Sequence, residues 1–133
     1  MSTAVPPCER SVNVLPRPKD LRAEIPLPAD AAAAILRTRD EVRNIIHGRD
    51  TRRLAIVGPC SVHDPKAILE YADWLGHEAV RLQDRLVIVM RVFMEKSRTS
   101  RGWKGLLHDP QVDGRGNVLE GLRLARTVLR EVQ

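Results

Sequence analysis

Between Arg91 and Lys104 the chain sets five cations, Arg91, Lys96, Arg98, Arg101 and Lys104, against one anion, Glu95. Small hydroxyl residues, Ser97, Thr99 and Ser100, are interleaved with them. That composition suits phosphate. Arginine offers a planar fork for paired hydrogen bonds to an oxyanion, lysine a compact point charge, and a hydroxyl a neutral donor. An ordinary solvated loop would explain Arg101 and Lys104 equally well. Arg91 is different, because it falls within an apolar run, Leu86 to Val92. By the two-residue period of a strand it shares a face with Val87 and Val89. A cation there needs a partner or an anionic ligand, since burying it alone is strongly unfavourable.

A second stretch with chemical potential is Gly58-Pro59-Cys60-Ser61-Val62-His63-Asp64-Pro65. The Cys60 thiolate could bind a divalent metal or act as a nucleophile; the alternative is a small buried hydrophobe, the fate of many free cysteines. Cys60 and His63 have the Cys-x-x-His spacing of a two-ligand metal clip. Alone this is a weak signal, because His63 beside Asp64 can equally serve the first turn of a helix. The other cysteine, Cys8, lies in a segment of different character, and the two fit no disulfide framework. Both are expected as free thiols.

The elements that hold these loops can be read from the apolar pattern. Residues 1–29 carry six of the nine prolines and show no apolar period, which predicts an extended arm. From Asp30, an available N-cap, a helix is expected with Ile35, Val42, Ile45 and Ile46 on one face and His47-Gly48 as its stop. Leu54 to Val57 is a short unbroken apolar run, the mark of a strand buried on both faces in a parallel sheet. Asp64-Pro65 then opens an amphipathic helix with Ile68, Ala72, Leu75, Ala79 and Leu82 on its stripe. Leu86 to Val92 is the second strand, a polar loop covers about 95–116, and Asn117 with Glu120 caps a last helix. Its predicted stripe is Val118, Leu122, Ala125, Leu129 and Val132. The order helix, strand, helix, strand, helix demands parallel crossovers, and in such α/β folds ligands bind where strands end. Both reactive stretches lie there. Two parallel strands cannot cover themselves, so the pattern is the start of a (β/α) barrel or open α/β sheet.

Composition narrows the class. With 43% apolar and 29% charged residues, the 133-residue chain has the balance of one soluble globular domain. No apolar run approaches the ~20 residues of a membrane span, and a cytoplasmic protein without membrane contact is expected. The net charge of +5 invites a nucleic-acid hypothesis. It is disfavoured, because the cations cluster after a strand and only four aromatics, Tyr71, Trp74, Phe93 and Trp103, are available for stacking.

Three segments taken together, Leu54 to Pro65, Val89 to Thr99 and Gly102-Trp103-Lys104-Gly105-Leu106-Leu107-His108-Asp109-Pro110, resemble the opening third of the type I, metal-dependent 3-deoxy-D-arabino-heptulosonate 7-phosphate (DAHP) synthases. The similarity runs from about Arg17 to the end and includes Gly121-Leu122-Arg123-Leu124-Ala125-Arg126. The resemblance implies a (β/α)8 TIM barrel, of which residues 30–133 supply the first helix and two β/α units behind the 1–29 arm. It implies condensation of phosphoenolpyruvate with erythrose 4-phosphate and water to give DAHP and phosphate, at the start of the shikimate route to aromatic amino acids. Residue by residue, it implies Cys60 as a ligand of a divalent metal (Mn, Fe, Co or Zn class), Arg91 and Lys96 as phosphoenolpyruvate-binding, Lys96 as catalytic, and Arg98 and Thr99 as erythrose 4-phosphate-binding. His63 is not among the family's ligands.

Two positions depart from the family pattern: Ser97 stands where proline is usual, leaving the approach to Arg98 less rigidly preset, and Phe93-Met94 lacks a tyrosine hydroxyl. A barrel of this kind needs roughly 250 residues. A chain with two strand-helix units, one metal ligand and half of the anion-binding groups is therefore expected to be a truncated form, inactive alone and sticky at its strand edges. The complete enzyme is expected to be a homo-oligomer. The alternative is a non-catalytic module associating with full-length synthase subunits, since the family uses its N-terminal extension for subunit contacts and, in feedback-regulated members, for inhibition.

Overall fold

The computed structural model describes residues 14–97 and 102–133. Its elements run α1 (Pro18–Glu24), α2 (Ala29–Ile46), β1 (Arg53–Val57), α3 (Pro65–Arg81), β2 (Leu86–Met90) and α4 (Val118–Glu131). The two strands pair in parallel, Arg53 opposite Leu86 through Val57 opposite Met90, with α3 as the crossover. This is the predicted α/β alternation, in an unclosed two-stranded sheet.

The caps explain where α3 and α4 begin. The Asp64 carboxylate accepts from the backbone N–H of Lys66 at 2.9 Å and of Ala67 at 3.3 Å, and Pro65 occupies a first-turn position where its missing N–H costs nothing. The Asn117 side-chain oxygen accepts from Glu120 N–H at 3.1 Å, and the Asn117 amide returns a bond to the Glu120 carboxylate at 3.0 Å. The predicted capping pair is thus formed.

Three expectations about the arm and the helices are corrected. The arm is not extended throughout: residues 18–24 form α1, because proline at the first position is compatible with a helix and the Arg17 carbonyl accepts from Asp20 and Leu21. Asp30 is not an N-cap; α2 starts at Ala29 behind Pro28, and Asp30 sits inside the first turn, where its charge complements the helix dipole. On α4 the buried positions are Gly121, Ala125 and Val128, while Leu129, placed on the predicted stripe, is exposed. Gly121 decides that face. A Cβ there would collide with the carbonyl oxygen of Leu107, so the glycine lets the helix backbone rest directly on the 106–107 turn.

The core is Val62, Ile68, Leu106 and Val128, with Leu106 wholly buried. It joins the loop after β1, the first turn of α3, the turn after the cationic loop and α4. Packing around the strands is thinner: Val87 is buried, but Ile56 is 64% exposed, contrary to the expectation of a strand covered on both faces. Helix α2 buries no residue fully; Ile35, Val42 and Ile46 share one face as expected, but Ile46 at its end is exposed. What ties α2 down is Arg52, whose guanidinium reaches Asp50 at 2.7 Å, Glu41 on α2 at 2.9 Å and the Gln83 carbonyl before β2 at 3.1 Å. At the other end, α1 docks on α4 through Arg123 to Glu24 at 2.6 Å and Arg126 to the Ile25 carbonyl at 3.1 Å. Among the described residues no helix is long and apolar enough to cross a membrane.

Candidate functional site

The parallel register sets Val57 beside Met90, so the loops leaving β1 and β2 emerge side by side at the carboxyl end of the sheet. The backbone N–H of Arg91 donates to Val57 O at 2.6 Å, one residue past the end of the strand. Farther out, Val62 N–H donates to Phe93 O at 2.7 Å, joining the loops a second time. Between these ties the chains nearly touch, since a Cβ on Gly58, whose φ is +154°, would overlap the Arg91 carbonyl. Only glycine fits there.

Arg91 itself differs from expectation. It lies beyond β2 and is exposed, so it does not share the burial of Val87 and the cost of a buried charge does not arise. Its side chain is nevertheless held. One terminal nitrogen donates to Gly58 O at 2.9 Å and to Pro59 O at 3.0 Å, and the guanidinium carbon stands 5.3 Å from the centre of the Phe93 ring. Those two bonds use the two N–H groups of one nitrogen out of five donors. The remaining three are without a protein partner among the described residues. The result is a cation oriented by neutral carbonyls, its charge uncompensated, as an anion site requires.

The cationic loop then folds back on itself. Lys96 N–H donates to Lys104 O at 2.9 Å, and Leu107 N–H to Met94 O at 3.2 Å. Gly105 makes the return possible: its φ is +117°, and a Cβ would lie 2.5 Å from both Glu95 Cα and Met94 O. Trp103 anchors the tip by donating from its indole nitrogen to Asp109 O at 2.8 Å. The nearly buried Asp109 carboxylate in turn accepts from Asp113 N–H at 3.3 Å and Gly114 N–H at 3.1 Å. The fold-back leaves a cleft of about 500 Å³ lined by Phe93, Glu95, Lys96, Ser97, Lys104 and His108. His108 Nε2 lies 3.0 Å from Glu95 Oε1, while neither Lys96 nor Lys104 joins an ion pair among the described residues.

Of the sequence-predicted residues, Cys60, Arg91 and Lys96 therefore stand on the two adjacent loops, whereas Arg98 and Thr99, like Arg101 and Cys8, lie outside the described residues. Cys60 is a free thiol and exposed, which overturns the alternative of a buried small hydrophobe. His63 is exposed too, and among the described residues no three His, Cys, Asp or Glu side chains gather into a group able to hold a metal. One soft thiolate is a single donor where such sites use three or four. The described residues do not by themselves make a metal centre. The Glu95–His108 pair and the Trp103–Asp109 anchor were not foreseen. Their partners are 13 and 6 residues apart in a non-periodic loop, a separation that carries no pattern.

An open parallel α/β unit, with cations unpaired among the described residues where its strands end, is of the class whose ligands bind in strand-end loops. The chain belongs to the DAHP synthetase I family, whose signature matches residues 25–132. It is 44% identical over 126 residues to a phospho-2-dehydro-3-deoxyheptonate aldolase of Amycolatopsis methanolica, covering 93% of this chain and 62% of that protein. To the Tyr-sensitive aldolase of Escherichia coli it is 46% identical over 120 residues, 90% of this chain and 34% of the relative. The structure of the aldolase from Francisella tularensis superposes with a TM-score of 0.85 at 40% identity, over 92% of this chain and 36% of that one. The chain thus spans between about one third and three fifths of the length of these relatives.

Proposed function

We propose that this chain forms the first two β/α units, behind the 1–29 arm, of a DAHP synthase that condenses phosphoenolpyruvate with erythrose 4-phosphate and water, releasing phosphate. The observation that carries the reading is that Arg91 and Lys96, both on the loop that leaves β2, have no carboxylate partner among the described residues. Phosphoenolpyruvate carries a phosphate and a carboxylate close together, and two such cations offset that charge while fixing the molecule over the strand ends. In this reading Arg91, pre-oriented by the Gly58 and Pro59 carbonyls, binds an oxyanion through its remaining donors. Lys96 lies nearest the reacting atoms, and Arg98 and Thr99 receive erythrose 4-phosphate. Cys60 contributes one thiolate to a divalent metal whose other ligands lie elsewhere in the whole protein. Such an ion acts as a Lewis acid on the aldehyde.

The test is phosphate release from phosphoenolpyruvate by the whole protein, with erythrose 4-phosphate and a divalent metal each omitted in turn. Release that requires both supports the reading, and Lys96→Ala is expected to abolish it. Release independent of erythrose 4-phosphate, or full activity in Lys96→Ala, refutes it.

A further inference from the structure

His108 and Glu95 face each other across the cleft that holds Lys96 and Lys104, and their contact answers a question left open by the cation count. A carboxylate in the same small cleft as two ammonium groups should pair with one of them, neutralising half of the charge the cleft can offer an anion. It does not. Glu95 Oε1 is taken by His108 Nε2 at 3.0 Å, and both lysines are without a carboxylate partner among the described residues. We infer that His108 is a positioning residue: it holds Glu95, the one carboxylate among the described residues of the cleft, aside, so that Lys96 and Lys104 stay available together for the phosphate-bearing substrate. The inference rests on the phosphoenolpyruvate-binding reading given above, and assigns to it two residues, Lys104 and His108, beyond those named there.

The backbone makes the arrangement specific. Gly105 passes against Glu95 Cα, and Lys96 N–H bonds Lys104 O, so Glu95 and the two lysines cannot separate without unfolding the fold-back. His108 is placed independently: its N–H donates to Gly105 O at 3.1 Å, and its carbonyl accepts from Asn117 N–H at 2.9 Å, the residue that caps α4. Imidazole can donate from Nε2 in its neutral form as well as when protonated. The contact with Glu95 therefore does not require a charged imidazole.

The experiment is a double-mutant cycle in the full chain, reading the Kd for phosphoenolpyruvate and, separately, the ammonium titrations of Lys96 and Lys104 by NMR, with circular dichroism as the control for folding. His108→Leu frees Glu95 to pair with a lysine, and is expected to weaken binding roughly threefold to fivefold, the scale of an exposed ion pair. Glu95→Gln/His108→Leu removes the competing carboxylate and should restore wild-type affinity. His108→Gln, which keeps a donor at the same reach, should also bind like the wild type. In the NMR readout His108→Leu raises the pKa of one lysine, and the double variant returns it. A residue that merely supports the loop predicts the opposite, a double variant as weak as His108→Leu or weaker. That outcome, or an unchanged His108→Leu, overturns the inference. If His108→Leu does not fold, Glu95→Gln alone decides: it should bind at least as tightly as the wild type, and weaker binding refutes the proposal. Should the wild type bind no phosphoenolpyruvate, the substrate reading fails while the lysine titrations still test the positioning role.

Discussion

Two glycines on helices allow one substitution to be predicted with opposite signs. Gly121 in α4 and Gly76 in α3 both lie inside helices, where replacing glycine by alanine gains about 1 kcal/mol by removing backbone freedom from the unfolded chain. At Gly76 nothing lies within 4 Å of the new methyl group, so the gain is realised and Gly76→Ala should stabilise by about 0.5–1 kcal/mol. At Gly121 the methyl would enter the space of the Leu107 carbonyl, with Leu106 O the next nearest group. Those atoms are backbone, tied by Leu107 N–H to Met94 O and packed under the fully buried Leu106 side chain, so they cannot swing away. Overpacking of that kind costs about 1–3 kcal/mol before the propensity gain is subtracted, and more where backbone must move. Gly121→Ala should therefore destabilise by about 1–2 kcal/mol, and the two variants should differ by about 1.5–3 kcal/mol. Urea denaturation followed by circular dichroism reads the difference directly as a separation of midpoints at constant slope. If Gly121→Ala proved as stabilising as Gly76→Ala, the close seat of α4 on the 106–107 turn would be wrong.

Other perturbations follow from the caps and ion pairs. Asn117→Ala should cost about 1 kcal/mol, the usual loss of an N-cap, and amide exchange should quicken first in the opening turn of α4. Hydrogen bonds from the Arg52 side chain and backbone N–H hold the Asp50 carboxyl below its ordinary range, so the stability it contributes is complete above the unfolded-state value near ~4 and is lost as pH falls through the lower folded value. In Arg52→Ala that acid-sensitive component should be missing from the unfolding curve measured between neutral pH and strong acid; an unchanged acid limb would remove the staple from the account. Cys60→Ala should leave the unfolding midpoint within about 0.5 kcal/mol, as expected of an exposed position, while abolishing metal-dependent phosphate release by the whole protein. Full activity in that variant would rule out Cys60 as a ligand.

The periodic parts of the fold were legible and the ties between them were not. Strands β1 and β2 and the starts of α3 and α4 announce themselves through apolar runs and through Asp64-Pro65 and Asn117-x-x-Glu120, signals confined to a few neighbouring residues. Helix α1 was missed because proline density argues against helices in general but not against a proline at the first position. The buried face of α4 keeps Ala125 of the expected stripe but turns toward Gly121 and Val128, because a glycine permits the closest approach and adds nothing to an apolar pattern. Exposure of Arg91 could not be read from strand alternation, because the strand ends one residue earlier, where the chain turns to meet Gly58. In the site, the residue types around Cys60, Arg91 and Lys96 were visible as a concentration of cations and a thiol after strands. The Glu95–His108 contact depends on a fold-back made by Gly105, and no local pattern encodes it.

The seating of α1 on α4 has a consequence for how the chain is made. Arg123 meets Glu24 across 99 residues, and Arg126 meets the Ile25 carbonyl across 101. At synthesis rates of about 5–20 residues per second, α1 leaves the ribosome roughly 5–20 s before its docking surface exists. Strand β1, helix α3 and strand β2 can pair in that interval through nearer contacts, so α1, although made before them, is fixed after them. Until then α1 and its neighbours Val14 and Leu15, which are exposed in the structure, have no packing partner on α4.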